Sequence, residues 1–341
     1  MRIRRPLLLP LVPLYGAVLA IKKQLFRWGL LKQRHLRDPV ISVGSVSAGG
    51  AGKTPMVLTL AGILRRRGYA VNILTRGFGR GSDTVERVEP YGDAAWHGDE
   101  PVLLAQRTGV PVFVGADRYS AGLLAEQERT TAKLAVHLLD DGFQHRKLAR
   151  EIDIVLVTKE DVEDWLIPAG NLREPLSALR EADVIVVREE EAQSLNDFVA
   201  GLARVGKRPA IWSIRRRLSL AESRGPLPAR PVAFCGIARP ESFTSMLSLE
   251  GCLPVETVAF PDHHRYEEKD MVHLLEVARH KGADGFCTTE KDAVKLTPVM
   301  RERLGAVGPL LVARLYVELA DEKNALLQLV AMVSRLDRRK H

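Results

Sequence analysis

The sequence predicts the α/β fold class, with two α/β/α sandwich domains preceded by an N-terminal membrane-associated helix. Short apolar runs alternate with helix-like segments along most of the 341 residues, as in layered α/β proteins. That length suggests about two domains, and an apolar content of 46% is ordinary for a globular protein. Residues 1–37 differ from the rest of the chain because they are both apolar and strongly basic.

This basic arm, residues 1–37, contains nine Lys and Arg and no Asp or Glu, so the rest of the chain has a net charge of −1. Residues 6–21 are almost wholly apolar, and residues 22–37 mix Leu, Phe and Trp with six of the cations. This composition is typical of a helix in the lipid headgroup layer, and the cations favour the anionic cytoplasmic face. A helix packed on the next domain and a single membrane span are the alternatives. The few aromatic residues argue against a nucleic-acid surface.

Residues 39–54 read PVISVGSVSAGGAGKT and have the order of a phosphate-binding P-loop: strand, small-residue loop, Gly-Lys-Thr and helix. The first domain is therefore predicted to contain a P-loop NTPase-like parallel sheet. Backbone N–H groups would bind nucleotide phosphates, Lys53 would reach the β- and γ-phosphates, and Thr54 would bind Mg²⁺. Ser47 stands where the strict pattern has Gly, and a Gly-rich turn that only connects strand to helix is the alternative. The predicted nucleotide-binding residues are Ser47, Ala48, Gly49, Gly50, Ala51, Gly52, Lys53 and Thr54.

The remaining strands follow as short apolar runs, which we divide between a first domain, residues 38–205, and a smaller α/β domain, residues 206–341. The first domain's strands are predicted at residues 40–43, 69–74, 111–115, 134–139, 152–158 and 184–187. The second domain's strands are predicted at residues 210–215, 231–236, 255–260 and 310–317, and residues 286–292 are predicted to be a strand that runs into a polar loop. Residues 82–97 are expected to be irregular. Three widely spaced Cys give no disulfide or metal-ligand pattern and fit a reducing compartment.

An apolar strand that ends in Asp140-Asp141 presents carboxylates in the manner of a Walker B motif. Mg²⁺ needs only one or two carboxylates because it keeps several waters. A helix cap or turn is the alternative for this pair. Asp99-Glu100 forms a second acidic pair before a helix-like run, where N-capping is the alternative interpretation.

A P-loop with a strand-end Asp pair and several strand-end Arg residues indicates phosphoryl transfer or nucleotide-gated switching. A kinase also needs a base for the acceptor hydroxyl, and a carboxylate beside a His would serve. A guanine-specific switch would need Asn-Lys-x-Asp. The nearest candidate, Thr289-Glu290-Lys291-Asp292, has Lys and Asp adjacent and does not fit. This favours ATP over GTP.

These motifs together resemble one family, the tetraacyldisaccharide 4'-kinases of Gram-negative bacteria. The matching segments run in family order from about residue 40 to 295: SVGSVSAGGAGKTP, LTRGFGR, GDEP, VGADR, LLDDGFQH, PAGNLREP, FPDHHRY and TTEKDAVK. The resemblance implies an enzyme at the cytoplasmic face of the inner membrane that transfers the γ-phosphate of ATP to the 4'-hydroxyl of tetraacyldisaccharide 1-phosphate, giving lipid IVA. It implies Mg²⁺ as cofactor, the lipid substrate and the membrane surface as partners, and neither a nucleic acid nor a protein partner.

The resemblance also implies roles for particular residues. Asp99 is similar to the family's catalytic base, and His263, from the second domain, to the partner of that base; closure of the two domains would then assemble the site. Either of His263 and His264 could instead be an ordinary surface histidine. The candidate Mg²⁺ ligands besides Thr54 are Glu100, Asp140, Asp141 and Glu174. The residues expected to line the phosphates or the sugar are Arg76, Arg118, Gln144, His145 and Arg173.

Two rival functions remain at this point. The chain could be a GTP-dependent switch similar to a metallochaperone, which would prefer guanine nucleotides and make no lipid product. It could also be a scaffold with a vestigial nucleotide fold, which would bind no nucleotide. The intact Gly52-Lys53-Thr54 argues against the second rival.

Overall fold

The computed structural model describes residues 4–129, 134–202, 208–220 and 227–337. The strands are β1 (Val40–Ser45), β2 (Ala70–Thr75), β3 (Glu86–Arg87), β4 (Val112–Val114), β5 (Ala135–Asp140), β6 (Ile152–Val157), β7 (Val184–Arg188), β8 (Ala210–Ser219), β9 (Pro231–Cys235), β10 (Glu256–Ala259), β11 (Gly285–Thr289) and β12 (Leu310–Leu319). The helices are α1 (Val12–Arg27), α2 (Lys53–Arg66), α3 (Ala94–His97), α4 (Asp99–Thr108), α5 (Arg118–Gln127), α6 (Lys159–Val162), α7 (Glu189–Ala200), α8 (Pro240–Leu249), α9 (Glu268–Lys281), α10 (Glu290–Ala293), α11 (Pro298–Gly305) and α12 (Glu322–Asp337). Short 3-10 helices cover Pro6–Leu11 and Leu176–Glu181.

These twelve strands form one sheet in the order β10-β9-β11-β12-β8-β7-β6-β1-β5-β2-β4-β3. Every residue of β1, β5, β6 and β7 is buried, and these strands consist mainly of Val, Ile and Leu. Continuous apolar strands of this kind are typical of parallel sheets covered by helices on both faces. The mixed α/β class with a mostly parallel sheet is therefore confirmed.

Two ten-residue strands, β8 and β12, form a ribbon that joins the two halves of the sheet. The first half of β8 pairs in parallel with β7, and its second half pairs antiparallel with β12. The first part of β12 pairs in parallel with β11. Strands on the two sides of the ribbon therefore run in opposite directions, and their carboxyl ends face each other. Since loops at the carboxyl ends of parallel strands form the ligand crevice, the loops of both halves meet in one cleft.

We call the two halves the P-loop lobe (β1–β7 with α2–α7 and α12) and the distal lobe (β9–β11 with α8–α11). Helix α12 is last in the chain but packs on the P-loop lobe, where Leu329 and Val333 join the core that contains Ile41 and Met56. The predicted boundary between residues 205 and 206 stays a prediction. The C-terminal helix, placed in the second domain by that prediction, contributes to the core of the first lobe.

The N-terminal helical segment, Pro6–Arg27, has no buried residue and is long and apolar enough, by length and composition alone, to cross a membrane. Polar groups attach it to the P-loop lobe: the Tyr15 hydroxyl donates to the Arg173 carbonyl at 3.0 Å, and Lys23 pairs with Glu181. Its exposed apolar side chains are Leu7, Leu9, Leu11, Leu14, Val18 and Ile21. The segment is thus free to present an apolar surface to a lipid phase.

Local predictions from the sequence differ from the structure at three places. The helix ends at Arg27 and does not continue over residues 28–37, because Gly29 adopts a left-handed conformation with φ of +73°. Within residues 286–292, the polar loop predicted after the strand is instead the short helix α10, which the Thr289 side chain caps. The excursion at residues 82–97 contains β3 and α3. Part of the connector before β9, residues 221–226, lies outside the described residues.

Gly44 in β1 packs against the backbone of Phe143, and we expect Gly44→Ala to destabilise the fold. A Cβ at this residue would lie 2.5 Å from the Phe143 Cβ and 2.9 Å from its backbone nitrogen. Overpacking of this kind costs about 1–3 kcal/mol in free energy of unfolding, measurable by urea denaturation. Gly305→Ala is the matched control, since a Cβ added there would meet no atom of the described residues within 4 Å. Equal stability of the two variants would contradict the prediction.

Candidate active site

The P-loop forms without a glycine at residue 47. Gly49 and Gly52 have φ of +107° and +97°, a region that L side chains rarely adopt. Ser47 is not among the residues with positive φ; it is buried, and its carbonyl accepts a hydrogen bond from Ser45 Oγ at 2.8 Å. The departure from the strict pattern therefore falls where the conformational freedom of glycine is not needed.

Two neighbouring loops support the P-loop backbone. The amide of Ala48 donates to the Asn171 carbonyl at 2.9 Å, and the amide of Arg173 donates to the Val46 carbonyl at 2.7 Å. The Gln144 side-chain amide donates to the Ser45 carbonyl at 2.8 Å. The structure thus brings the predicted residues Gln144 and Arg173 to the P-loop, although Gln144 uses its amide on the backbone.

Lys53, Asp141 and Arg173 form a charge cluster beside this loop. Lys53 Nζ lies 3.5 Å from Asp141 Oδ1, and the Arg173 guanidinium donates to both Asp141 oxygens at 2.7 and 2.6 Å. Burial alone would raise the pKa of Asp141, but the hydrogen bonds from Arg173 and the charge of Lys53 lower it to about 2. Asp141 therefore stays ionised and fixes two cations next to a phosphate-binding loop.

Asp140, at the end of β5, offers a buried oxygen that suits a magnesium ion. Its side chain is buried, and Oδ1 has no hydrogen-bond partner among the described residues. Burial and the nearby carboxylates of Glu100 and Asp141 raise the pKa of Asp140 to about 7, so a cation here would favour its ionised form. Thr54 is also buried, in the first turn of α2. Hard oxygen donors of this kind fit Mg²⁺.

Asp99 and His263 meet across the cleft. His263 Nδ1 lies 3.0 Å from Asp99 Oδ2 and 3.3 Å from Oδ1. Asp99 is in the first turn of α4, and His263 follows β10 in a loop where its φ is +59°. The hydrogen bond to Asp99 raises the pKa of His263; burial would raise the pKa of Asp99, but His263 and neighbouring lysines lower it. An ionised carboxylate beside a histidine is a suitable general base.

His264, the other histidine of this loop, makes its contacts within the distal lobe. Its Nε2 lies 2.9 Å from Asp270 Oδ2, and its ring stacks on Phe260 with centroids 4.7 Å apart. Of the two histidines, only His263 therefore reaches the cleft carboxylates among the described residues.

The basic and polar residues predicted to line phosphates or sugar lie near this cluster. Arg118 is buried, and burial together with the charge of Arg76 lowers its pKa to about 10. His145 is held neutral at pH 7, because burial and the charge of Arg118 lower its pKa to about 4. Buried polar atoms of Arg118, Gln144 and His145 have no hydrogen-bond partner among the described residues. Such atoms are available to a polar ligand.

Glu174 is placed differently from the other candidate Mg²⁺ ligands. It is buried and faces Arg146, whose Nη2 lies 3.9 Å from Glu174 Oε1. Burial raises the pKa of Glu174, and the charges that act on it belong to Arg146, Glu181 and two lysines of α1. The structure thus places Glu174 beneath the N-terminal helix and shows no contact between it and Asp140 or Asp141 in the described part of the chain.

Two residues of the distal lobe reach the cleft without having been assigned a role from the sequence. Lys291 pairs with Glu100 at the start of α4. Arg239 lies above the P-loop, with its Cδ 3.9 Å from the position of a Cβ on Gly50, and its guanidinium is 3.5 Å from Glu160. Lys291 belongs to a segment that the sequence singled out, TTEKDAVK, whereas no pattern pointed to Arg239.

A second group of possible metal ligands lies at the amino end of β1, away from the cleft. The ligand atoms of Asp38, Glu126 and His137 lie within 4.8 Å of one another. Arg129 donates to both Asp38 oxygens at 2.8 and 2.7 Å, and His137 Nε2 is 3.5 Å from Glu126 Oε1. Both carboxylates already have partners within the chain, so we assign no metal to this group.

Comparison with known proteins identifies close relatives over nearly the whole chain. A model of the family described as LpxK, tetraacyldisaccharide-1-P 4'-kinase, matches residues 4–334. Proteins named tetraacyldisaccharide 4'-kinase are similar: that of Koribacter versatilis is 39% identical over 96% of this chain and 98% of its own length. The Geobacter metallireducens protein of that name is 38% identical over 86% of this chain and 88% of its own length.

A solved structure is similar over the same extent. It is the crystal structure of LpxK from Aquifex aeolicus in complex with ATP, which is 31% identical in sequence. The two superpose with a TM-score of 0.73 and cover 96% of this chain and 98% of the other. The similarity therefore includes the N-terminal helix and both lobes.

Proposed function

The chain belongs to the tetraacyldisaccharide-1-P 4'-kinase family, and on that basis we propose that it transfers the γ-phosphate of ATP to the 4'-hydroxyl of tetraacyldisaccharide 1-phosphate, forming lipid IVA in lipid A biosynthesis. One observation supports this most strongly. The cleft between the lobes brings together a P-loop lysine, the Asp140-Asp141 pair and the Asp99–His263 pair. Lys53 and Glu100 are both near enough for their charges to act on Asp140. Glu100 is the neighbour of Asp99, which contacts His263. These are the parts that phosphoryl transfer to a hydroxyl requires.

Asp99 is the general base in this proposal. Its carboxylate would accept the proton of the 4'-hydroxyl as the sugar oxygen attacks the γ-phosphorus, and His263 would hold that carboxylate in place. The 3.0 Å contact between His263 Nδ1 and Asp99 Oδ2 supports this role. Because the two residues come from opposite lobes, the base and its partner meet only when the lobes are close, which limits hydrolysis of ATP by water.

The remaining cleft residues would bind and neutralise phosphate. The P-loop amides and Lys53 bind the ATP phosphates, while Arg173, held by Asp141, and Arg118 face the charge of the transferred group. Thr54 and Asp140 would hold Mg²⁺, and that ion would neutralise phosphate oxygens when bound. The other candidates in the cleft, Asp141 and Glu100, already pair with Arg173 and Lys291. The sugar or the phosphate of the acceptor would be bound by Gln144, His145 and Arg76. Glu174 is the weakest candidate as a metal ligand because, in the described part of the chain, it contacts neither Asp140 nor Asp141.

The N-terminal helix would hold the enzyme at the cytoplasmic face of the inner membrane, where the acyl chains of the substrate lie. Its apolar side chains are exposed, and its cations are attracted by anionic headgroups. Whether residues 6–27 lie in the interface or cross the bilayer, the helix attaches to the lobe that carries the P-loop, through Tyr15 and Lys23.

The test of the reaction uses purified protein, γ-labelled ATP, Mg²⁺ and detergent-dispersed tetraacyldisaccharide 1-phosphate. We expect a labelled lipid product. Lipid IVA is the matched control acceptor, because its 4'-position is already phosphorylated and should take no label. Hydrolysis that favours GTP, with no labelled lipid, would support the switch protein, and failure to bind any nucleotide would support the vestigial scaffold.

Deleting residues 1–27 is expected to release the protein from membranes, because the exposed apolar segment and six of the cations of the basic arm are lost with it. We expect the membrane-bound fraction in sedimentation with anionic vesicles to fall about tenfold or more. Residues 28–37 are kept because Leu36 is buried against Gly122.

A milder variant separates membrane binding from helix docking. Leu14→Ser with Val18→Ser makes two exposed positions polar and leaves Tyr15 and Lys23 in place. It should weaken sedimentation while the KM for ATP stays unchanged. A truncated protein that sediments as well as the full chain would contradict the anchor.

A further inference from the structure

The segment after β11 has no role in the function proposed above, although it contains three charged residues in succession. Thr289 caps the short helix α10, which begins with Glu290, Lys291 and Asp292. Each of the three has its own partner: Glu290 pairs with Arg107, Lys291 with Glu100, and Asp292 with Lys295 at 2.8 Å. Two of these partners belong to α4 in the other lobe, so α10 is attached to α4 at two points.

The two ion pairs between α10 and α4 lie at opposite ends of α4. The pair of Arg107 with Glu290 is near the end of α4, where Arg107 also packs over the Tyr316 ring at 4.7 Å. Glu100 is in the first turn of α4, next to Asp99, and the amide of Glu100 donates to Asp99 Oδ1 at 2.9 Å. The Lys291 contact therefore acts on the same helical turn that carries the proposed base.

That turn is held from two sides of the distal lobe. His263, from the loop after β10, contacts Asp99, and Lys291, from α10, contacts Glu100. The charge of Lys291 acts on Asp99 and Asp140 as well as on Glu100. Without it, the cleft would lose a cation that is shared by three carboxylates, and Glu100 would lose its partner while still partly buried.

We propose that Lys291 is a positioning residue for phosphoryl transfer, which acts through Glu100 to hold the first turn of α4 so that Asp99 keeps its bond with His263. The inference rests on the proposed function, because it gives Asp99 the role of the base. It assigns to Lys291 an effect on turnover, not on nucleotide binding. A displacement of a reacting group by about 1 Å costs roughly 100-fold in rate, which sets the scale of the effect.

The first experiment compares Lys291→Met with Arg107→Met in lipid phosphorylation. Methionine keeps the apolar stem and removes the charge in both cases, and each variant loses one ion pair between α10 and α4. We expect Lys291→Met to lower kcat about 100-fold with the KM for ATP unchanged, and Arg107→Met to change kcat less than about 5-fold. If Lys291→Met does not melt cooperatively, Lys291→Gln replaces it, because glutamine can still donate a hydrogen bond to Glu100. We expect Lys291→Gln to lower kcat about 10-fold.

The second experiment combines Lys291→Met with Asp99→Asn and measures single-turnover rates with enzyme in excess. If Lys291 acts through Asp99, its removal should lower the rate of the Asp99→Asn protein less than about 3-fold. A loss of about 100-fold in both backgrounds, or equal losses in the Lys291 and Arg107 variants, would overturn the inference in favour of general lobe attachment. Absence of lipid phosphorylation by the unaltered protein would instead refute the proposed function.

Discussion

Asp99→Asn is expected to lower kcat for lipid phosphorylation about 10³-fold, the range of a general base, while the affinity for ATP stays within about 2-fold. The substitution keeps the size of the side chain and its contact with His263, so the loss would report the missing proton acceptor. Asp99 lies outside the P-loop, which explains why nucleotide binding should survive. Rates from labelled lipid and dissociation constants from ATP titration measure the two quantities separately.

Asp262→Asn is the matched control for this prediction. Asp262 is the neighbour of His263 in sequence, its Oδ1 accepts a hydrogen bond from the His263 amide at 3.1 Å, and its side chain is 41% exposed. It lies near the same histidine without contacting the base, and its substitution should change kcat less than about 3-fold. If Asp99→Asn loses ATP affinity as strongly as it loses turnover, Asp99 is a nucleotide-binding group and the assignment as base is wrong.

Lys53→Met should have the largest effect, a fall of about 10⁴-fold in kcat/KM for ATP, because a cation on the transferred phosphate acts in both binding and the transition state. The fold should survive the change. Asp141 would keep both hydrogen bonds from Arg173 and would not become an unpaired buried charge. Thermal unfolding and lipid phosphorylation measured on the same preparation separate the two effects.

Lys281→Met is the control for loss of a lysine at a distance from the cleft. Lys281 ends α9 and pairs with Glu256 at 2.8 Å, and both side chains are exposed. Surface pairs of this kind contribute about 0–1 kcal/mol, so activity should not change. Retention of more than about a tenth of the activity by Lys53→Met would argue against a phosphate-binding role for the lysine.

Local sequence predicted the strands and the P-loop because both depend on residues that are adjacent in the chain. The apolar run at residues 40–43 is followed at once by the glycines and by Lys53, so one segment carries strand, turn and helix start. The sequence alone also shows that Ser47 stands where the strict P-loop pattern has glycine. Only the structure explains why serine is tolerated there, since Ser47 is not among the residues with positive φ.

Contacts between distant residues could not be predicted in the same way. Glu100 and Lys291 are 191 residues apart, and no periodicity in either segment reveals their pairing. The Asp99–His263 pair, 164 residues apart, came only from resemblance to a family. The strand order, and with it the opposed directions of the two lobes, depends on the long pairing of β8 with β12. The role of Glu174 as a metal ligand stays a prediction, since the resemblance suggested it while the structure places Glu174 beside Arg146.

The ribbon of β8 and β12 also constrains how this chain can fold while it is being synthesised. The P-loop lobe takes β12 and α12 from the end of the chain: the Thr59 hydroxyl donates to the Val317 carbonyl at 2.6 Å, and the Trp212 indole donates to Gln328 at 2.8 Å. The distal lobe needs β12 as well, since Leu311 and Ala313 lie in the core that contains Ala233 and Cys287. Helix α12, in contrast, contributes its buried residues to the core of the P-loop lobe. The ribosome therefore releases the last part of the P-loop lobe's core after every strand of the distal lobe, and a chain that stops at residue 320 should be protease-sensitive in its P-loop half.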